Sequence, residues 1–194
     1  FNGSDRINLF VEMIMAENIE ERSKILNKLG QLQKSDFIEI LKAMEGYEVT
    51  IRLLDPPLHE FLPNPEELVE KLQKLESQGN TNEVNKAKTI LKRARELAEI
   101  NPMMGHRGVR VGITYPEIYE MQCRAIFEAL SELKIKKIKS AFLEIMIPLV
   151  STEAEIKIMR ELVVRVANQV QKDNKVKVDY LVGTMIELPR AALK

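Results

Sequence analysis

The sequence predicts an α/β fold built on a parallel sheet of about four strands with helices around it. Two observations carry this. Short runs rich in β-branched residues recur at 47–55, 109–113, 142–150 and 178–188, and amphipathic helical stretches separate them. Strands that alternate with helices connect in parallel, which gives either an open doubly wound sheet or a (β/α)8 barrel. Four strands are too few to close a barrel, whose usual size is about 250 residues.

The first 45 residues are helical. Ile7, Leu9, Phe10, Met13 and Ile14 fall at helical spacing over 5–15, and Ile25, Leu29, Leu32, Phe37, Ile40 and Leu41 continue it over 18–45, with Gly30 and Gly46 as stops. "YEVTIRLLD" (47–55) then has the length and chemistry of a strand, and Pro56 and Pro57 end it because neither can donate to a sheet ladder. "NPEELVEKLQKLESQ" (64–78) opens with an asparagine cap, a proline in the first turn and two glutamates, all N-terminal helix signals. A turn at "QGNTNE" leads to a charged amphipathic helix over 82–99, and "NPMMGHRG" is a loop. "VRVGI" (109–113) reads as a strand, 116–134 as a helix, "FLEIMIPLV" as a strand, 152–172 as a helix capped by Ser151 or Thr152, and "VDYLVGTMIEL" as the last strand.

Composition narrows the function. The chain has 194 residues, 45% of them hydrophobic, enough to bury a core. Lys plus Arg and Asp plus Glu both number 29, so no overall field draws in nucleic acid or a membrane surface. No run of about 18 apolar residues marks a membrane span, and the N-terminus has neither the basic nor the apolar region of a signal peptide. It lacks an initiator methionine and begins as if cut from something longer. A single cysteine, Cys123, suits a reducing, cytoplasmic setting. There is no glycine-rich phosphate loop, CxxC pair or GxSxG motif.

In parallel α/β folds the ligand site lies beyond the carboxyl ends of the strands, so polar residues there are the candidates. Arg52 sits inside an apolar strand read as buried, where its guanidinium needs an anionic partner. Asp55 is one such partner and a substrate phosphate another, and the residues alone leave both open. Arg107, beside Gly105 and Gly108, offers the second half of a phosphate clamp. Glu187 ends the last strand before Pro189, a natural place for a Mg2+ ligand. Arg110 and Arg124 read as surface or packing residues. His59 and His106 share no metal spacing and are read as structural, Cys123 as a small buried residue, and Met103, Met104, Met146 and Met185 as core or pocket lining. The basic run "KIKKIKS" (134–140) reads as a solvated helix end or turn.

Taken in order, "TIRLLDPPLHEFLP", "NPMMGHRGVRVGITYPEIYEMQCRAIFEA", "EIMIPLV" and "VGTMIELPRAAL" closely resemble the pyruvate phosphate dikinase family, in its C-terminal phosphoenolpyruvate/pyruvate-binding barrel. The double proline and "LHEF" favour the dikinases over two related phosphoenolpyruvate users, enzyme I of the sugar phosphotransferase system and phosphoenolpyruvate synthase. A non-catalytic interaction module is the remaining alternative. The resemblance implies a (β/α)8 barrel that exchanges a phosphoryl group between a phosphohistidine and pyruvate with Mg2+, in an enzyme that also uses ATP and phosphate and forms a homodimer. By the same resemblance Arg52 and Arg107 bind the phosphoryl group, Glu187 ligates Mg2+, Met185 lines the pocket for the pyruvate methyl, and Asp55 supports Arg52. The chain then corresponds to the central part of the barrel, residues 1–194, truncated at both ends, with a helical insertion at about 62–100. The family's further arginine, second metal-binding carboxylate and proton-donating cysteine fall outside it, as do the phosphohistidine and nucleotide-binding domains. Cys123 matches none of these, and the segment alone is expected to be inactive.

Overall fold

The computed structural model describes residues 4–16, 18–77, 81–97 and 105–194. Met103, Met104 and the turn at 78–80 lie outside them. The chain divides into two compact units, one of residues 1–22 and 56–106, the other of residues 23–55 and 107–194.

The first unit is helical. It holds α1 (Ser4–Met15), a 3-10 turn (Leu58–Phe61), α3 (Pro65–Ser77) and α4 (Thr81–Leu97). Phe10 stacks on Phe61 with ring centroids 4.7 Å apart. Helix α3 starts where its sequence demands, because the Asn64 side chain accepts the Glu66 backbone N–H at 2.9 Å. Its buried Leu68, Leu72 and Leu75 recur at helical spacing, as do Val84, Ala87, Leu91 and Ala94 of α4, and the two helices pack together.

The second unit carries the sheet. Helix α2 (Ile19–Ala43), whose first turn belongs to the other unit, is followed by β1 (Glu48–Arg52), α5 (Val109–Thr114), α6 (Pro116–Ile135), β2 (Phe142–Ile147), α7 (Glu153–Asn174), β3 (Tyr180–Thr184) and α8 (Pro189–Leu193). The strands are parallel in the order β1-β2-β3, with Arg52 opposite Met146 and Met146 opposite Gly183. One face is buried: Ile51, Leu143, Ile145 and Ile147 join the apolar side chains of α6 and α7, which pack on each other. Phe127 of α6 meets the Tyr180 ring edge-on at 4.8 Å. On the opposite face Glu48, Thr50, Arg52, Phe142, Leu181 and Gly183 are exposed, and Thr50 donates to Glu144 at 2.6 Å.

Two expectations are corrected. The strand containing Arg52 is not buried on both sides. It alternates, placing Ile51 in the core and Arg52 on the open face with 46% of its side chain exposed. The sheet has three strands among the described residues because "VRVGI" is helical. Gly108, at φ 56° and ψ −132°, turns the chain into α5, where Val109, Val111 and Gly112 are all buried. The β-branched run does not join the sheet, in which β1 pairs directly with β2; its buried Val109 and Val111 pack as helix instead, and packing overrides its propensity. A Cβ on Gly112 would lie 2.7 Å from Tyr119 Cδ2 and 2.8 Å from Met159 Sδ.

Other readings hold. Thr152, not Ser151, caps α7, in a reciprocal capping box with Glu155. The 134–139 run is an exposed helix end. Cys123 is fully buried, and burial together with the Glu120 charge pushes its thiol up to about 12, which makes it a packing residue. Among the described residues no helix is long and apolar enough to cross a membrane.

The tight seat of Gly112 makes a direct prediction. Gly112→Ala should lower the unfolding free energy by about 1–3 kcal/mol through overpacking, despite the better helix propensity of alanine. Urea denaturation measures it, and an unchanged or raised midpoint would contradict the packing described.

Candidate functional site

The carboxyl end of β1 is held open rather than extended. Leu53 N–H still donates to Met146 O at 3.0 Å, as in a continuing ladder. At Leu54 the partners change. Its N–H goes to Gln122 Oε1 at 2.8 Å, and its carbonyl accepts the Tyr119 hydroxyl, also at 2.8 Å. Pro56 and Pro57 then close the strand, as their sequence predicts.

Between them stands Asp55, 4% exposed. Its Oδ2 accepts Arg107 Nη2 at 2.6 Å and lies 3.2 Å from Arg52 Nη1. Its backbone carbonyl accepts Arg107 Nε at 3.3 Å and Gly108 N–H at 3.0 Å. Arg107 therefore grips both the side chain and the main chain of Asp55, with 16% of its own side chain exposed. The charge-assisted bond to Arg107 is short, and the second contact of that guanidinium to the Asp55 carbonyl orients it, while Arg52 makes a longer single-atom ion pair. Asp55 Oδ1 is buried with no hydrogen-bond partner among the described residues, so the carboxylate directs all its bonding through one oxygen.

The ends of the other two strands adjoin this one through the main chain. Val109 N–H donates to Pro148 O at 3.2 Å, Met185 N–H to Ile147 O at 3.2 Å, and Thr184 Oγ1 to Ile147 O at 2.9 Å. Glu187 Oε1 accepts the Leu149 N–H at 2.7 Å. Leu149 takes a left-handed backbone, φ 57°, that a γ-branched residue adopts only when its surroundings hold it there. Its side chain also explains Gly108, since a Cβ there would sit 3.0 Å from Leu149 Cβ and Cδ1.

The predicted residues are thus distributed as follows. Arg52, Asp55 and Arg107 meet directly. Glu187 reaches them through Leu149 and Gly108, and Met185, half-buried, lies at the same end of the sheet. Met146 lies opposite Arg52 in the register. Glu187 uses Oε1 for the Leu149 N–H. Among the described residues no group of three or more His, Cys, Asp or Glu could hold a metal ion. His59 and His106 join no such group.

Tyr119, Gln122 and Leu149 were not foreseen. Tyr119 and Gln122 stand three apart on the buried face of α6 among Ile118, Cys123 and Ile126, and a glutamine at such a position is a readable sign of a specific internal partner. Burial, and secondarily the Asp55 charge, raise the Tyr119 hydroxyl above the usual tyrosine range, so it acts as a donor. The left-handed Leu149 carries no such sign.

Two arginines that meet on one buried carboxylate form a cationic cluster at this strand end, a side-chain chemistry that can pair with an anionic group. The chain belongs to a family of PEP-utilising enzymes, whose PEP-binding domain matches residues 2–194. It is similar to the proteins named pyruvate, phosphate dikinase of Entamoeba histolytica, at 48% identity over 194 residues, and of Giardia intestinalis, at 49% over 194 residues. That of Clostridium symbiosum is 47% identical over 193 residues. Each match takes in 100% of this chain but only 22%, 21% and 21%, respectively, of those proteins.

The shared carboxylate predicts an asymmetry in stability. Asp55→Asn should cost about 3 kcal/mol, because it strips the counter-charge from a mostly buried Arg107. Arg52→Met should cost about 1 kcal/mol or less, since Arg52 is half exposed. Chemical denaturation of the two variants compares them, and equal losses would contradict the asymmetry.

Proposed function

We propose that this chain forms the phosphoenolpyruvate/pyruvate-binding part of a pyruvate phosphate dikinase. That enzyme interconverts pyruvate, ATP and phosphate with phosphoenolpyruvate, AMP and diphosphate through a phosphohistidine. The observation that carries the reading is the Arg52–Asp55–Arg107 cluster at the carboxyl end of β1. In the proposed arrangement the sheet is part of a (β/α)8 barrel whose interior is the open face bearing Arg52, and the helical segment at about 62–100 is an insertion into that barrel.

The roles follow from the chemistry of phosphoryl transfer, which depends chiefly on positive charge already in place as charge spreads over the transferring oxygens. Arg52 and Arg107 bind those oxygens, and Asp55 keeps the guanidiniums from turning away. Met185 supplies an apolar wall for the methyl or methylene end of the substrate. Glu187 would be one ligand of Mg2+, which when bound would supply further positive charge to the reacting oxygens. The phosphohistidine and nucleotide-binding domains of the same full-length chain are the partners, in a cytoplasmic homodimer without nucleic acid or membrane, and the segment alone does not turn over.

Calorimetric titration of the full-length protein containing this chain with oxalate, a mimic of the pyruvate enolate, tests the reading. Binding should require Mg2+ and disappear in EDTA, and Arg52→Met or Arg107→Met should weaken phosphoenolpyruvate affinity on the order of 10- to 100-fold. Unchanged affinity in either variant would sink the two-arginine site, and unchanged affinity in both would favour an interaction module.

A further inference from the structure

Helix α6 directs two polar side chains at a single residue. Tyr119 donates to the carbonyl of Leu54 and Gln122 accepts its N–H, both at 2.8 Å, across more than 60 residues of sequence. Leu54 occupies a particular place. The residue before it is still bonded to β2, and the residue after it is Asp55, which holds both arginines. Its backbone torsions therefore set the direction in which the Asp55 carboxylate leaves the sheet. Nothing in the ladder fixes them, because both polar groups of Leu54 are taken by side chains.

The two side chains are themselves fixed. Tyr119 is fully buried, and its ring lies so close to Gly112 that a Cβ there would clash with two of its carbons. Gln122 is 8% exposed, and its amide orientation follows from the N–H that it accepts. A displacement of about 1 Å in a positioning element can cost on the order of a hundredfold in rate.

We propose that Tyr119 and Gln122 are positioning residues of the phosphoenolpyruvate site, locking Leu54 so that Asp55 presents Arg52 and Arg107 in register for the phosphate. Neither touches the substrate. The proposal rests on the reading of these strand ends as the phosphoenolpyruvate site.

The test uses the full-length protein containing this chain, with phosphoenolpyruvate affinity measured for Tyr119→Phe and Gln122→Met in two backgrounds, native and Arg52→Met. Both variants keep side-chain volume, and either suffices if the other fails to fold. In the native background each should weaken affinity about tenfold. With Arg52 already replaced the factor should fall to about threefold, because only Arg107 remains to be misplaced. A purely structural role predicts the same factor in both backgrounds, and that result, or no loss in the native background, overturns the proposal. The Arg52→Met variant by itself reports on the underlying reading: if it binds phosphoenolpyruvate normally, the site assignment fails and the proposal with it. If it binds weakly while Tyr119→Phe and Gln122→Met have no effect, only the positioning role fails.

Discussion

One carboxylate oxygen of Asp55 receives two arginines, and the geometry at the strand ends depends on it. A guanidinium is too long and flexible to hold one orientation at a half-exposed strand end, and two side by side repel each other. The buried Asp55 removes both difficulties. It offsets the repulsion, and Arg107 becomes fixed by contacts to the side chain and main chain of one residue. Arg52 shares that oxygen from the open face, at a longer distance and with much of its surface free. The result is one anchored and one adaptable cation, an arrangement suited to a ligand that must be admitted, held and released.

Two glycines make this possible by what they lack. Gly108 turns the chain in the left-handed region directly after Arg107 and leaves space for Leu149, while Gly112 leaves space for the Tyr119 ring. Between them the short helix α5 draws the Arg107 loop down onto the ends of β1 and β2, where Gly108 N–H and Val109 N–H reach Asp55 O and Pro148 O. The Tyr119 ring packs beside Gly112 in the core, and its hydroxyl bonds the strand end at Leu54.

Much of this was legible in the sequence, and for physical reasons. Arg52 and Asp55 bracket an apolar run that two prolines terminate, and a charge in that setting has few explanations other than a partner or a ligand. Helix starts at Asn64 and Thr152 were readable because capping is local chemistry. The strand reading of 109–113 failed because β-propensity expresses fit to a sheet, and Gly108 turns this run into a helix whose Val109, Val111 and Gly112 are buried. The burial of Arg52 was misjudged because a short apolar run does not distinguish a strand covered on both faces from one covered on a single face. The Leu54 clamp joins residues more than 60 positions apart, a relation that no local pattern encodes.

In the proposed site Asp55 holds both arginines for a phosphate. A crystal structure of the full-length protein containing this chain, with phosphoenolpyruvate and Mg2+ bound, tests it most directly. Phosphate oxygens are expected within about 3 Å of both the Arg52 and Arg107 guanidiniums, with the Arg107–Asp55 contact intact. A phosphate bound away from these arginines, or an Asp55 that releases Arg107 when the ligand binds, would contradict it.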